Sequence, residues 1–97
     1  MTIKATAQTI DRLAQQELPS YEKPTRNMAG KTTHQITRRT TLNNNQVHYE
    51  IIANSRGAQF AITDGQKYTT CNIPLGADEA TITSVIAAAR NIFNINN

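Results

Sequence analysis

The sequence predicts an α+β fold: a two-layer, four-stranded antiparallel meander with an N-terminal and a C-terminal helix on one face. Three observations carry this reading. Apolar residues recur at helical spacing near both ends of the 97-residue chain, they alternate at strand spacing in the middle, and turn residues separate the alternating runs. Each helix owns one apolar stripe and the sheet has one apolar face. The compact solution therefore places both helices on that face.

The first helix is expected over residues 2–18. Ile3, Ile10, Leu13 and Ala14 fall on one stripe of a 3.6-residue repeat, and Ala5, Ala7, Gln8, Gln15 and Gln16 favour helix. Pro19 stops it, because the residue before a proline avoids the α region. Residues 19–33 read as a long loop, with two prolines, one glycine and no apolar period.

Four strands follow. Residues 34–42 alternate weakly and are Thr-rich, as an edge strand would be. Asn43, Asn44 and Asn45 signal a turn. Residues 46–53 alternate most clearly, with Val47, Tyr49, Ile51 and Ala53 on one side. A turn at Asn54–Gly57 leads to residues 58–63, and Asp64-Gly65 is a two-residue hairpin signal before residues 66–73.

These turns imply registers. Ala53 is expected opposite Ala58, Ile51 opposite Phe60 and Tyr49 opposite Ile62. The Asp64-Gly65 turn pairs Thr63 with Gln66, and so Phe60 with Thr69 and Ala58 with Cys71. A four-residue loop at 43–46 pairs Leu42 with Val47. Arg39 then lies opposite Glu50 on the outer face, and Arg38 points inward. Tyr68 is the one aromatic expected on the outer face. The second helix is expected over 77–93, with Ile82, Val85, Ile86, Ala89 and Phe93 as its stripe, Asp78 and Glu79 in the first turn and Arg90 near the end.

Ninety-seven residues make one small domain, spanning 1–97. Cys71 is the only cysteine, which excludes an intrachain disulfide and points to a reducing compartment. The N-terminus has no long apolar run of the signal-peptide kind, and no stretch reaches membrane-spanning length. A cytoplasmic protein is expected.

No motif supports catalysis. Gly30-Lys31-Thr32 is like the end of a phosphate-binding loop, but Thr25 stands where that motif needs its first glycine. His48 and Glu50 share a strand face but lack a third metal ligand. Cys71 is expected to face the core as a small apolar residue. The reading is therefore of a non-enzyme without metal, nucleotide or other cofactor.

Charge is the remaining functional signal. Residues 23–56 hold Lys23, Arg26, Lys31, Arg38, Arg39 and Arg56 against Glu50 alone, while the rest of the chain holds four basic residues and six acids. A one-sided cationic surface attracts acidic partners over a Debye length. Arg26, Lys31, Arg38, Arg39, Arg56 and Tyr68 are the expected partner-binding residues, and an acidic surface of a protein or nucleoprotein complex is the expected partner. The expected class is a protein-binding module acting by occlusion or adaptation. By analogy of size and missing chemistry, phage or mobile-element inhibitors of host nucleic-acid-acting complexes have this profile.

Direct DNA or RNA binding through residues 23–56 is the alternative. Double-stranded RNA-binding domains place a basic cluster at the start of the last helix, where this chain has Ala77-Asp78-Glu79-Ala80. Binding of single strands on an open sheet calls for several stacking aromatics, and Tyr68 alone is expected there.

Overall fold

The computed structural model describes residues 2–18, 26–30, 32–42 and 44–95. The elements are α1 (Ile3–Glu17), β1 (Arg26–Ala29), β2 (Thr33–Leu42), β3 (Asn45–Asn54), β4 (Gly57–Thr63), β5 (Tyr68–Pro74) and α2 (Glu79–Ile95). The strands form one antiparallel sheet in the order β1-β2-β3-β4-β5. Both helices pack on its inner face, α1 against β2 and β3, α2 against β4 and β5. Among the described residues no helix is long and apolar enough to cross a membrane.

The α+β class, the meander and the position of the helices agree with the sequence reading. The strand count does not: there are five strands rather than four. The additional strand, β1, lies inside the expected loop 19–33. Arg26-Asn27-Met28-Ala29 has no apolar period, but β2 offers it a ten-residue ladder, and Gly30 N–H donates to the Thr33 carbonyl at 2.7 Å to start the return. Tertiary pairing here overrides weak local preference. As a consequence β2 is an interior strand, not the expected edge.

Each helix start follows from one side chain. Thr2 caps α1 by accepting from the Ala5 N–H at 3.0 Å, and Asp78 Oδ1 accepts from the Thr81 N–H at 2.8 Å at the start of α2. The hydroxyl and backbone hydrogen bonds from Thr81 hold the Asp78 carboxyl below its ordinary pKa.

The core lies between the sheet and the helices. Ala7, Ile10, Leu13, Ala14 and Leu18 come from the first helical segment, and Ile82, Ile86, Ala89 and Phe93 from α2. They meet Ile36, Val47, Tyr49, Ile51, Phe60, Ile62 and Ile73 from the sheet. Val85 is only partly buried, at the flank of the α2 stripe.

The β3–β4 register is as expected, with Ala53 opposite Ala58, Ile51 opposite Phe60 and Tyr49 opposite Ile62. The two other hairpins differ by two residues each. Leu42 pairs with Asn45, so two residues rather than four form the turn, with Asn44 at φ 65°. Arg39 is therefore opposite His48, not Glu50. In the last hairpin Thr63 pairs with Tyr68, and four residues form the loop. The reason is side-chain chemistry. Asp64 Oδ1 accepts from the N–H groups of Gln66 and Lys67, at 2.9 and 2.7 Å, while Thr63 Oγ1 donates to the Lys67 carbonyl at 2.6 Å. The main-chain hydrogen bonds from Lys67 and Gln66 also hold the Asp64 carboxyl below its ordinary pKa, and together with the Thr63 bond they stabilise the wider loop over a two-residue turn.

Gly57 closes the β3–β4 turn at φ 142°, where a Cβ would lie 2.8 Å from the Ile73 carbonyl oxygen. Gly57→Ala combines positive φ with a backbone clash and is expected to destabilise the fold by about 1–3 kcal/mol. Urea titration checks this, and an unchanged midpoint would refute the close approach of β4 to β5.

Candidate binding face

Neither helix packs on the outer face of the sheet, and the strand registers arrange its side chains in rows. Arg39, His48, Thr63 and Tyr68 form one row, Thr37, Glu50, Ala61 and Thr70 the next, and Gln35, Ile52, Gln59 and Asn72 a third. Met28, opposite Gln35, extends the third row onto β1 and is 59% exposed. The face is thus mostly amide and hydroxyl, with Met28, Ile52 and Tyr68 as apolar contacts.

Tyr68 is 58% exposed at one edge of this face. Its phenol is held above its ordinary pKa by desolvation first, then by the charge of Glu50 and a hydrogen bond to that carboxylate. Reaching Glu50 from β5 takes the Tyr68 side chain over β4. This accounts for Ala61, an outer-face residue that is only 1% exposed.

Arg39 is exposed on the outer face. Arg56 sits in the β3–β4 turn, where its N–H donates to Asn54 Oδ1 at 2.8 Å. Beside it is a shallow open concavity of about 370 Å³, lined by Ile52, Asn54, Gln59, Asn72 and Pro74 among others. Guanidinium and amide groups surround an aliphatic floor there. Such a lining can hydrogen-bond a carboxylate or a peptide backbone.

The other expected contact residues are placed differently. Arg38 points inward, as its position in the alternation implied, and finds a carboxylate there. Its Nε lies 2.7 Å from Asp11 Oδ1 and its Nη2 lies 2.8 Å from Asp11 Oδ2. Tyr49 donates its hydroxyl to Asp11 Oδ1 at 2.8 Å, and Gln15 Nε2 donates to Oδ2 at 3.2 Å. The two charged side chains are 14% and 10% exposed. The hydrogen bond to Asp11 raises the Arg38 pKa further, against the opposing effect of burial. Arg38 is thus a structural residue that ties β2 to α1, and it is not presented on the outer face. Arg26 is described through its backbone, which pairs with Thr37, and Lys31 and Lys23 lie outside the described residues.

His34 is 3% exposed on the inner face, with no hydrogen-bond partner at either ring nitrogen. Its place opposite Ala53 puts it far along β2 from the Arg38–Asp11 pair. His48 and Glu50 share the outer face, but among the described residues no group of three His, Cys, Asp or Glu side chains converges. Cys71 is partly buried and packed against the core. Sequence reasoning missed Asp11. The available signal was its place on the α1 stripe between Ala7 and Ala14, since an acid there requires an inward-facing cation.

Comparison with protein-family models, with curated proteins and with solved structures finds no match for this chain.

Proposed function

We propose that this chain is a non-catalytic protein-binding module that acts by occlusion or adaptation. Its contact surface is the outer face of the sheet, anchored by Arg39 and Arg56, and its partner is an acidic surface of a protein or nucleoprotein complex. The observation that supports this reading is an outer face on which neither helix packs. It is broad and amide-rich, carries exposed Tyr68 and Met28, and has exposed arginine at Arg39 and Arg56. Aromatic and arginine side chains are the usual anchors of protein interfaces. An inhibitor of a nucleic-acid-acting complex is the specific form that size and absent chemistry suggest.

Glu50 favours protein over direct nucleic-acid binding. Its carboxylate lies in the middle row of the face, where it would repel a phosphate backbone, and Tyr68 is engaged with it rather than standing free for base stacking.

The test is affinity capture from cell lysate, with and without nuclease, comparing the natural protein with Arg39→Glu/Arg56→Glu. A protein partner should remain after nuclease treatment and be lost with the double charge reversal. The partner's association should slow as salt rises. Loss on nuclease treatment would assign nucleic acid instead. Retention by the charge-reversed variant would remove this face from the contact.

A further inference from the structure

The two edges of the sheet are unlike each other. β1 is four residues long and includes Arg26, which suits a protected edge. β5 runs seven residues, Tyr68–Pro74, in continuous register with β4 and without one charged side chain. Natural edge strands are blunted by charge, proline or a bulge. β5 has only Pro74, at its very end.

The ladder identifies which of its backbone groups lie open. The two-residue turn after Asn54 closes on a hydrogen-bonded Asn54–Gly57 pair, and such pairs alternate along antiparallel strands. Gln59, Ala61 and Thr63 therefore bond toward β3, while Ala58, Phe60 and Ile62 bond toward Ile73, Cys71 and Thr69 of β5. The N–H and C=O groups of Thr70 and Asn72 consequently point away from the sheet.

The flank of α2 on the same side begins with Asp78, Thr81 and Ser84 and continues as an apolar row. Arg90 and Glu79 turn toward α1, in ion pairs with Glu17 and Arg12. The opposite flank carries Val85, Ala88 and Ile92, at i, i+3 and i+7, and ends near Ile95. Ile92 is 44% exposed and Ile95 82%. Among the described residues, an open backbone ladder and an exposed apolar row on α2 thus lie side by side.

We infer that the chain forms a two-fold homodimer through antiparallel pairing of β5 with β5 of a second copy. The two-fold axis passes through the sheet, so both α2 helices lie on the same side and their apolar flanks meet. Spacing permits this. Strands lie about 4.8 Å apart and packed helices about 8–10 Å apart, so a helix seated under β4 and β5 meets its counterpart across the axis. Charge favours a second copy as the occupant. Each chain carries a formal +3, yet β5 and the Val85–Ala88–Ile92 row are uncharged, the Asp78 carboxylates at the start of each flank lie at opposite ends of the antiparallel helix pair, and the basic β1–β2 side is at the far edge. Identical chains can therefore meet at β5 with little repulsion. The product is a ten-stranded sheet with two outer faces on one side.

Light scattering from micromolar to millimolar protein, with amide exchange by NMR, tests this. The mass should rise toward twice 10.7 kDa. Exchange at Thr70 and Asn72 should slow at least about tenfold with concentration, as expected when solvent-facing amides join a ladder. Ile92→Glu and Thr70→Pro should both remain monomeric with an unchanged circular dichroism spectrum. Proline at position 70 removes an outward donor and no bond to β4. If Thr70→Pro unfolds, Ile92→Glu and the exchange data still decide. A monomer at millimolar protein, a dimer with fast-exchanging Thr70 and Asn72, or a dimer that survives Ile92→Glu would each overturn the inference.

Discussion

Phe60→Ala is expected to cost about 3–5 kcal/mol, the range for a fully buried phenylalanine truncated in a packed core. Phe60 is 0% exposed on interior strand β4, and its ring centroid lies 5.7 Å from that of Tyr49. Truncation removes that ring contact and leaves a cavity where helices and sheet meet, at a point the surrounding main chain cannot easily collapse to fill. Tyr68→Ala is the control. Tyr68 lies on the opposite face and is mostly solvated, so its loss should cost about 1 kcal/mol or less. Urea titration of both variants measures the difference. Equal costs would mean that the two faces of β4 and β5 have been exchanged, and every outer-face residue would then be misassigned.

That the faces were legible in the sequence while two registers were not has a simple geometric cause. Side chains alternate with a period of two, so a register shift of two residues leaves each on its own face. Thr40 rather than Leu42 lies opposite Val47, and Cys71 rather than Thr69 lies opposite Phe60. Yet Ile36, Val47, Tyr49, Ile51, Phe60, Ile62 and Ile73 remain inward, because apolar alternation fixes parity. Turn length is fixed by other forces. The turn between Leu42 and Asn45 is the tight one and Asp64-Gly65 lies in the wide one, the reverse of expectation, because the Asp64 carboxylate finds two main-chain donors farther along. Dipeptide identity does not show which donors a side chain will reach.

β1 was illegible for a related reason. Four residues without a period carry no signal of their own, and only the ladder offered by β2 makes them a strand. Its presence turns β2 into an interior strand. Arg38 and Arg39, adjacent in sequence, therefore lie on opposite faces of a covered strand, and the basic segment divides. Arg39 and Arg56 remain on the surface, whereas Arg38 turns inward to pair with Asp11. Charge counting along the chain sums the two kinds alike, because sequence proximity says nothing about which face a charge occupies.

Arg38→Ala should consequently behave as a core mutation rather than a surface one. It would leave the Asp11 carboxylate in a site only 10% exposed, accepting hydrogen bonds from Tyr49 and Gln15 at 2.8 and 3.2 Å. Breaking one side of such a pair costs about 3–5 kcal/mol, because the remaining charge is uncompensated. That is a large share of the ~5–15 kcal/mol that holds a small domain together. Asp11→Ala should cost a similar amount, by removing the carboxylate that the guanidinium pairs with. Arg39→Ala, on an exposed outer-face site, should change stability by about 0.5 kcal/mol or less. The pair Asp11→Leu/Arg38→Met should be less damaging than either Asp11→Ala or Arg38→Ala, since an apolar replacement of both partners leaves no buried charge. Urea titration of the four variants separates these cases, and it decides which arginines can report on binding. A partner lost with Arg38→Ala would reflect the fold, whereas one lost with Arg39→Glu would reflect contact. If Arg38→Ala costs no more than Arg39→Ala, the Asp11 pair is solvated and Arg38 returns to the candidate contact surface.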